Sequence, residues 1–307
     1  MVIGHQRVIQ YLEKVLEKGS WAHGYLFWGP EHVGKTTVAD AFVRALFCDR
    51  GLRKLGGCGT CANCTAPDLR LSNRLFRLAP QEVTEEKNQT SEISIKEVRE
   101  LHHWLSFASE APRVVLIESA DVMSEEAANA LLKMLEEPHP TTVFLLISSA
   151  PQYILPTIRS RAVPLRFGLV PDSILAKVKS ATEELVHIAG GRPEILVRAI
   201  LDPVFRKEEE KMRRAAERIW RGGISDAASA AKEFSDSLGL EKKITLHLLS
   251  FARKEAAVLD NTALASLIRR VSRAIQALSQ SQTTNVNRRL ALDIIFLNLQ
   301  RVRPSQA

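Results

Sequence analysis

The segment GPEHVGKTT, residues 29–37, has the residue types and spacing to grip a polyphosphate. It matches G-x-x-x-x-G-K-[ST] at Gly29, Gly34, Lys35 and Thr36, with Thr37 following. Glycines at those places let backbone N–H groups wrap the phosphates. The lysine reaches the β and γ oxygens, and the threonine hydroxyl ligates Mg²⁺. ATP with Mg²⁺ is the candidate ligand, and whether it is bound is a separate question.

A cradle does not hydrolyse by itself. An Asp closing a second strand usually helps to hold the metal, and a neighbouring Glu polarises the water. The corresponding stretch is VVLIESADVM, residues 114–123, where Glu118 and Ser119 take those two places. Glu118 is one methylene longer than the usual Asp. The Ser119 hydroxyl holds its proton too tightly to act as a base near neutral pH. Asp121 and Glu125 are the alternative acids. The expectation is a degenerate Walker B strand and lost hydrolysis.

The cysteines form a third constellation. Cys48, Cys58, Cys61 and Cys64 all fall within CDRGLRKLGGCGTCANC. In a reducing compartment such clustering argues for metal rather than disulfides. CxxC spacing lets thiolates converge from a tight turn, and four of them close a tetrahedron around Zn²⁺ with no open position for catalysis. Residues 48–64 are therefore expected to form a structural zinc module. Reading that module as a DNA-binding unit is disfavoured, because its basic residues are only Arg50, Arg53 and Lys54 and no aromatic offers a stacking face.

These groups need elements to position them. Apolar spacing predicts a helix over residues 4–18, with Val8, Ile9, Leu12, Val15 and Leu16 on one face. YLFWG reads as a buried strand leading into the phosphate loop, and Lys35–Phe47 as the helix after it. LFRLAP, RVVLIES, TVFLLIS and AVPLRF read as further strands, the second of the apolar kind buried in a parallel sheet. Residues 81–92 read as an exposed loop. Ser94 with Glu97 forms a capping box, and Ser124 opens a helix that stops before Pro138. From Pro171 onward strand signals vanish. Residues 171–200 read as a small helical unit, and 203–302 as long helices broken at Gly222-Gly223, Gly239 and SQSQTTN.

A chain of 307 residues is long enough for two or three domains. Its net charge of +7 suits a nucleic-acid neighbour without specifying one, since the basic residues are spread along the chain. No apolar run has the length of a membrane span, and the opening MVIGHQRVIQYLEKV lacks the apolar core of a secretory signal. A cytoplasmic location is the expectation.

SADVMSEEAANALLKMLEEP, LLISSAPQYILPTIRSR, the four-cysteine insert and GGRPEI together resemble the bacterial clamp-loader ATPases of the AAA+ class. The order and spacing of these segments cover nearly all of residues 1–200. The degenerate Walker B and the GRP sequence resemble the family's stator branch rather than its motor branch, gamma/tau. An active motor subunit with an unusual Walker B is the alternative.

The resemblance implies an α/β RecA-like AAA+ domain with a zinc-binding insert at 1–168, a helical lid at 169–202 and an all-helical collar at 203–307. It implies partners as well: motor (gamma/tau) and delta subunits in a five-subunit ring, the sliding clamp, and primed DNA through the assembly. Arg161 is implied as an arginine finger acting in trans, although Ser160-Arg161-Ala162 stands where the family has S-R-C. Arg159 is a weaker candidate. Ser148 or Ser149 takes the sensor-1 place, and Arg192 the nucleotide-contacting sensor-2 place.

Overall fold

Apolar strands and amphipathic helices alternate through the first half of the chain, and their side-chain periods decide which surfaces meet. The computed structural model describes residues 2–51, 54–66, 72–80, 92–107, 110–234, 240–256, 263, 265–267, 269–274 and 288–299. Residues 81–91, Gly239, Arg53 and the SQSQTTN stretch lie outside that set. The chain divides into two compact units, Met1–Lys177 with Gly191–Glu194, and Val178–Gly190 with Ile195–Ala307.

The first unit runs α1 (Gln6–Lys18), β1 (Gly24–Trp28), α2 (Lys35–Leu46), α3 (Ala62–Thr65), β2 (Leu75–Leu78), α4 (Ile95–Ser106), β3 (Arg113–Ile117), α5 (Glu125–Glu136), β4 (Thr142–Ser148), α6 (Pro156–Arg159), β5 (Val163–Arg166) and α7 (Asp172–Leu175). α1 starts two residues later than its apolar spacing suggests, because Gly4 and His5 are both left-handed, at φ 78° and 58°. Its Val8, Leu12 and Leu16 are buried. The Ser94 N–H donates to Glu97 Oε2 at 2.7 Å, and Ser124 Oγ accepts from the Ala127 N–H at 3.1 Å, so both predicted helix starts are capped.

The strands form one five-stranded sheet in the order β2-β3-β4-β1-β5, parallel at every pairing. β3 and β4 are buried at every position, in keeping with the apolar stretches VVLI and VFLLI at their centres. Alternation along β1 sends Tyr25 and Phe27 to the face that packs on Val38 and Phe42 of α2. Leu26 joins the opposite face with Leu131 of α5 and Ile158 of α6. Trp28 pairs with Ser148 and Ile117 with Leu146, so β1, β4 and β3 all discharge their loops at one edge of the sheet. In an open α/β sheet that edge is where ligands bind.

The second unit is helical, with α8 (Glu183–Ala189), most of α9 (Pro193–Leu201), α10 (Pro203–Arg221), α11 (Ile224–Phe234), α12 (Leu240–Ala256) and α13 (Arg288–Leu299). Its core gathers Ala216, Ile219 and Trp220 of α10, Ile244 and Leu248 of α12, and Phe296 and Leu299 of α13. No helix among the described residues is long and apolar enough to cross a membrane.

Candidate functional site

The loop from Gly29 to Gly34 joins β1 to α2, and its shape comes from positive φ at Gly29, His32 and Gly34. Gly29 has φ 147°, and a Cβ there would lie 1.9 Å from the Phe167 carbonyl oxygen. Only a glycine lets the chain pass so close to the end of β5. Gly34, at φ 98°, caps α2, whose first turn carries Lys35, Thr36 and Thr37. The Gly29 N–H donates to the Ser148 carbonyl at 3.2 Å, fastening the loop to the end of β4.

Lys35 is buried, with only 7% of its surface exposed. Its Nζ donates to the Gly29 carbonyl at 2.8 Å and the Pro30 carbonyl at 2.5 Å. Burial pushes its ammonium below the usual lysine range, against the opposing charges of Glu31, Glu194 and Asp121. His5 supports the same loop from the N-terminal side. Its Nε2 lies 2.7 Å from the Val33 carbonyl, and its ring sits 4.8 Å from that of Phe167. A carbonyl can only accept, so Nε2 carries the proton. Burial lowers the His5 pKa, and the positive charge of Lys35 lowers it further.

Glu118 leaves β3 at the same edge, with its N–H bonded to the Leu78 carbonyl at 2.8 Å. Its carboxylate is already engaged, because Oε1 accepts from Nε of Arg77 in a close ion pair. Ser119 is left-handed at φ 52°. Asp121 Oδ1 accepts the Ser149 N–H at 3.2 Å, capping the end of β4. Ser148 is fully buried and its Oγ accepts the Ala150 N–H at 3.0 Å. The sequence reading missed both Arg77 and His5. A cation inside the short strand LFRL was the available sign for the first, and a histidine flanking the first helix is too common to flag the second.

Arg161 follows α6 and is 37% exposed. One guanidinium nitrogen pairs with Glu136 Oε1 at 2.7 Å, and the other donates to the Thr157 carbonyl at 3.0 Å. Arg159 is exposed, and Arg192 is buried with 6% of its surface accessible.

The four cysteines converge as their spacing predicts. Their Sγ atoms all lie within 4.8 Å of one another, with Cys48 and Cys64 buried. A tetrahedral site with Zn–S bonds near 2.3 Å requires sulfurs roughly 3.8 Å apart, so the donor set suits one ion after a small contraction. Gly57 shows how closely the backbone wraps it, since a Cβ there would lie 2.3 Å from Cys64 Sγ. Cys58 Sγ accepts from the Thr60 hydroxyl and N–H, both at 3.4 Å, and from the Cys61 N–H at 3.2 Å. Those bonds, the hydroxyl's first, lower its pKa to about 5, whereas burial pushes Cys64 up to about 12. The module is fastened to α2. Arg44 Nη1 donates to the carbonyls of Cys64 at 2.9 Å and Ala66 at 2.8 Å, and the Gly56 N–H to that of Ala41 at 2.9 Å.

Residues 4–170 match the family model described as DNA polymerase III, delta subunit. Among individual proteins, the chain is 37% identical over 183 residues to DNA polymerase III subunit delta' of Pseudomonas aeruginosa, covering 56% of this chain and 54% of that protein. It is 31% identical over 219 residues to DNA polymerase III subunit gamma/tau of Mycobacterium tuberculosis, covering 66% of this chain and 36% of that one. It thus spans about half the length of the first relative and about a third of the second. Among solved structures, the RuvB Holliday junction branch migration motor of Thermotoga maritima aligns with a TM-score of 0.50 at 13% identity, over 81% of this chain and 88% of that one. At that identity the likeness concerns the fold alone, a parallel AAA+-type α/β unit followed by helices.

Proposed function

The chain belongs to the DNA polymerase III delta-subunit family, and on that premise we propose that it is a delta-prime-like stator of a bacterial clamp loader. In this reading residues 1–168 are the AAA+ domain with its zinc module, 169–202 a helical lid, and 203–307 the collar that joins a five-subunit ring with gamma/tau and delta subunits. The assembly loads the sliding clamp on primed DNA, in the cytoplasm.

The observation that carries the stator reading is the engaged acid of the β3 exit. A motor needs a carboxylate for the metal and a base for the water. Glu118 is bound to Arg77 and Ser119 has no basic group, so the isolated chain is expected to show negligible ATP turnover. Nucleotide binding is a separable property. The backbone of Gly29–Gly34 with Lys35, Thr36 and Thr37 would hold a triphosphate, with Mg²⁺ screening its charge and Arg192 approaching from the sensor-2 side. The four thiolates would hold Zn²⁺ as a structural ion.

Arg161 is the group through which such a subunit would act on a neighbour. A guanidinium is planar, permanently charged and forked to match phosphate oxygens. Its present partner, Glu136, is itself near the surface, so exchange of that carboxylate for a neighbour's γ-phosphate would bury no unpaired charge.

The test is reconstitution with the motor subunits and clamp. An arginine finger contributes roughly 10³ to 10⁵ in rate at its site, so Arg161→Ala should leave ring assembly intact and strongly lower clamp-stimulated ATPase and loading. Arg161→Lys should rescue poorly, because an ammonium lacks the fork. Wild-type loading by the assembled Ala variant would reduce Arg161 to an edge residue. Mg²⁺-dependent turnover by the isolated chain, abolished by Lys35→Ala, would instead support the motor reading.

A further inference from the structure

Arg77 links three elements of the α/β unit, β2, β3 and α2. It lies on β2 in register with Leu116 of β3. Its Nε donates to Glu118 Oε1 at the β3 exit, and one terminal nitrogen reaches Asp40 Oδ1 of α2 at 3.4 Å. The three side chains are 16%, 27% and 33% exposed for Arg77, Glu118 and Asp40 respectively, so the cluster is half-sheltered from water. One cation therefore sits between two carboxylates, one closing the candidate Walker B strand and the other on the phosphate-loop helix.

That arrangement bears on what Mg²⁺ could gain here. The acid closing this strand assists the metal through its negative charge, directly or across a water. A carboxylate already bonded to a guanidinium offers little net charge, and a divalent cation approaching it would also meet the guanidinium. Asp121, on the turn after β3, is oriented by the Ser149 N–H that its Oδ1 accepts, and its charge already acts on Lys35. The phosphate loop fits a nucleotide, but its acid corner does not fit the usual metal role.

We infer that Arg77 stands in for the metal as the counter-ion of Glu118, so that nucleotide binding by this chain gains little from Mg²⁺. Arg77 is thereby a positioning residue that keeps the acid out of the metal's reach. The inference rests on the reading of Gly29–Thr37 as a nucleotide site and adds a property that the reading does not require.

The experiment is calorimetric titration of the full chain with ATP, once with excess Mg²⁺ and once with EDTA. The ratio of the two dissociation constants is the readout, and melting curves follow folding separately. For the wild type the ratio should stay within about threefold, since one screened charge contact is worth little more than that. Arg77→Met frees Glu118, and the ratio should then favour Mg²⁺ by about tenfold, as expected for restoring one half-sheltered charge pair. Arg77→Gln should move it the same way, and serves if the Met variant folds poorly. Adding Glu118→Gln to Arg77→Met should bring the ratio back to the wild-type value.

A merely structural Arg77 would alter melting without moving this ratio. A wild-type ratio of about tenfold or more would overturn the inference without any variant. So would Arg77 variants that fold yet show no gain, or a gain that survives in the double variant. Absence of ATP binding in both buffers would instead overturn the nucleotide-site reading, and the inference would fall with it.

Discussion

The phosphate loop and the β3 exit leave the same edge of the same sheet, yet they keep their motif to different degrees. A polyphosphate there would be held by backbone N–H groups whose directions are set by the loop and by the first turn of α2. A neighbouring side chain does not change the direction in which those N–H groups point. The β3 exit relies on the charge of one carboxylate, and Arg77, 41 residues away in sequence, occupies it. A site made of backbone stands as long as its turn is intact. A site made of side-chain charge depends on every ion that packs beside it.

The largest expected effect concerns the support of the loop. The cysteine module is clipped to α2 by Arg44 and Gly56, so a structural ion there should hold the helix that carries Lys35. Metal analysis should find about one zinc per chain, as a closed four-thiolate site requires. Stripping it, or Cys61→Ser, should lower unfolding free energy by about 3 kcal/mol or more, a fraction of the ~10–16 kcal/mol that structural zinc supplies to finger peptides. Folded protein without zinc and with all thiols freely titratable would separate the module from the loop it is thought to brace.

A smaller effect tests the contrast directly. Gly29→Ala would force a Cβ against the Phe167 carbonyl at a φ that L-residues avoid, at a cost of about 2–3 kcal/mol. Glu118→Gln removes one half-exposed ion pair and leaves Arg77 with Asp40, so the loss should stay under about 1 kcal/mol. Denaturant melts of the two variants decide this. If Glu118→Gln proves the more damaging, the acid corner is a structural keystone and the contrast between the two regions fails.

The smallest effect is a pH dependence confined to the loop side. The folded state prefers His5 neutral, because burial lowers its pKa from the ordinary 6.5. Below pH 6.5 the unfolded chain takes up a proton that the folded chain resists. Stability should therefore fall as pH drops from 6.5 toward the lowered pKa, and level off below it. With the ring only partly sheltered from water, the loss should stay under about 1 kcal/mol in all. His5→Asn tolerates the left-handed backbone and does not titrate, so its melting temperature should lack this slope. An identical slope in the variant would assign the effect to other groups.

Much of the α/β unit is legible in the amino-acid sequence. Continuous apolar runs identified β3 and β4, and Ser94 and Ser124 marked the starts of α4 and α5. The boundary of α1 was missed by two residues, since left-handed Gly4 and His5 leave no mark on apolar periodicity. The CxxC spacing announced converging thiols, and the sulfurs do converge.

The sequence by itself determined what depends on near neighbours along the chain: strand and helix periods, helix caps, the glycine-shaped loop and the cysteine knuckle. Only the tertiary structure decided which charges meet. Arg77 reaches Glu118 because β2 and β3 lie side by side, and Arg161 reaches Glu136 because α5 packs against α6. A charged side chain acts on whatever lies within a few ångströms. In a folded chain, that partner is set by strand order and helix packing rather than by position in sequence.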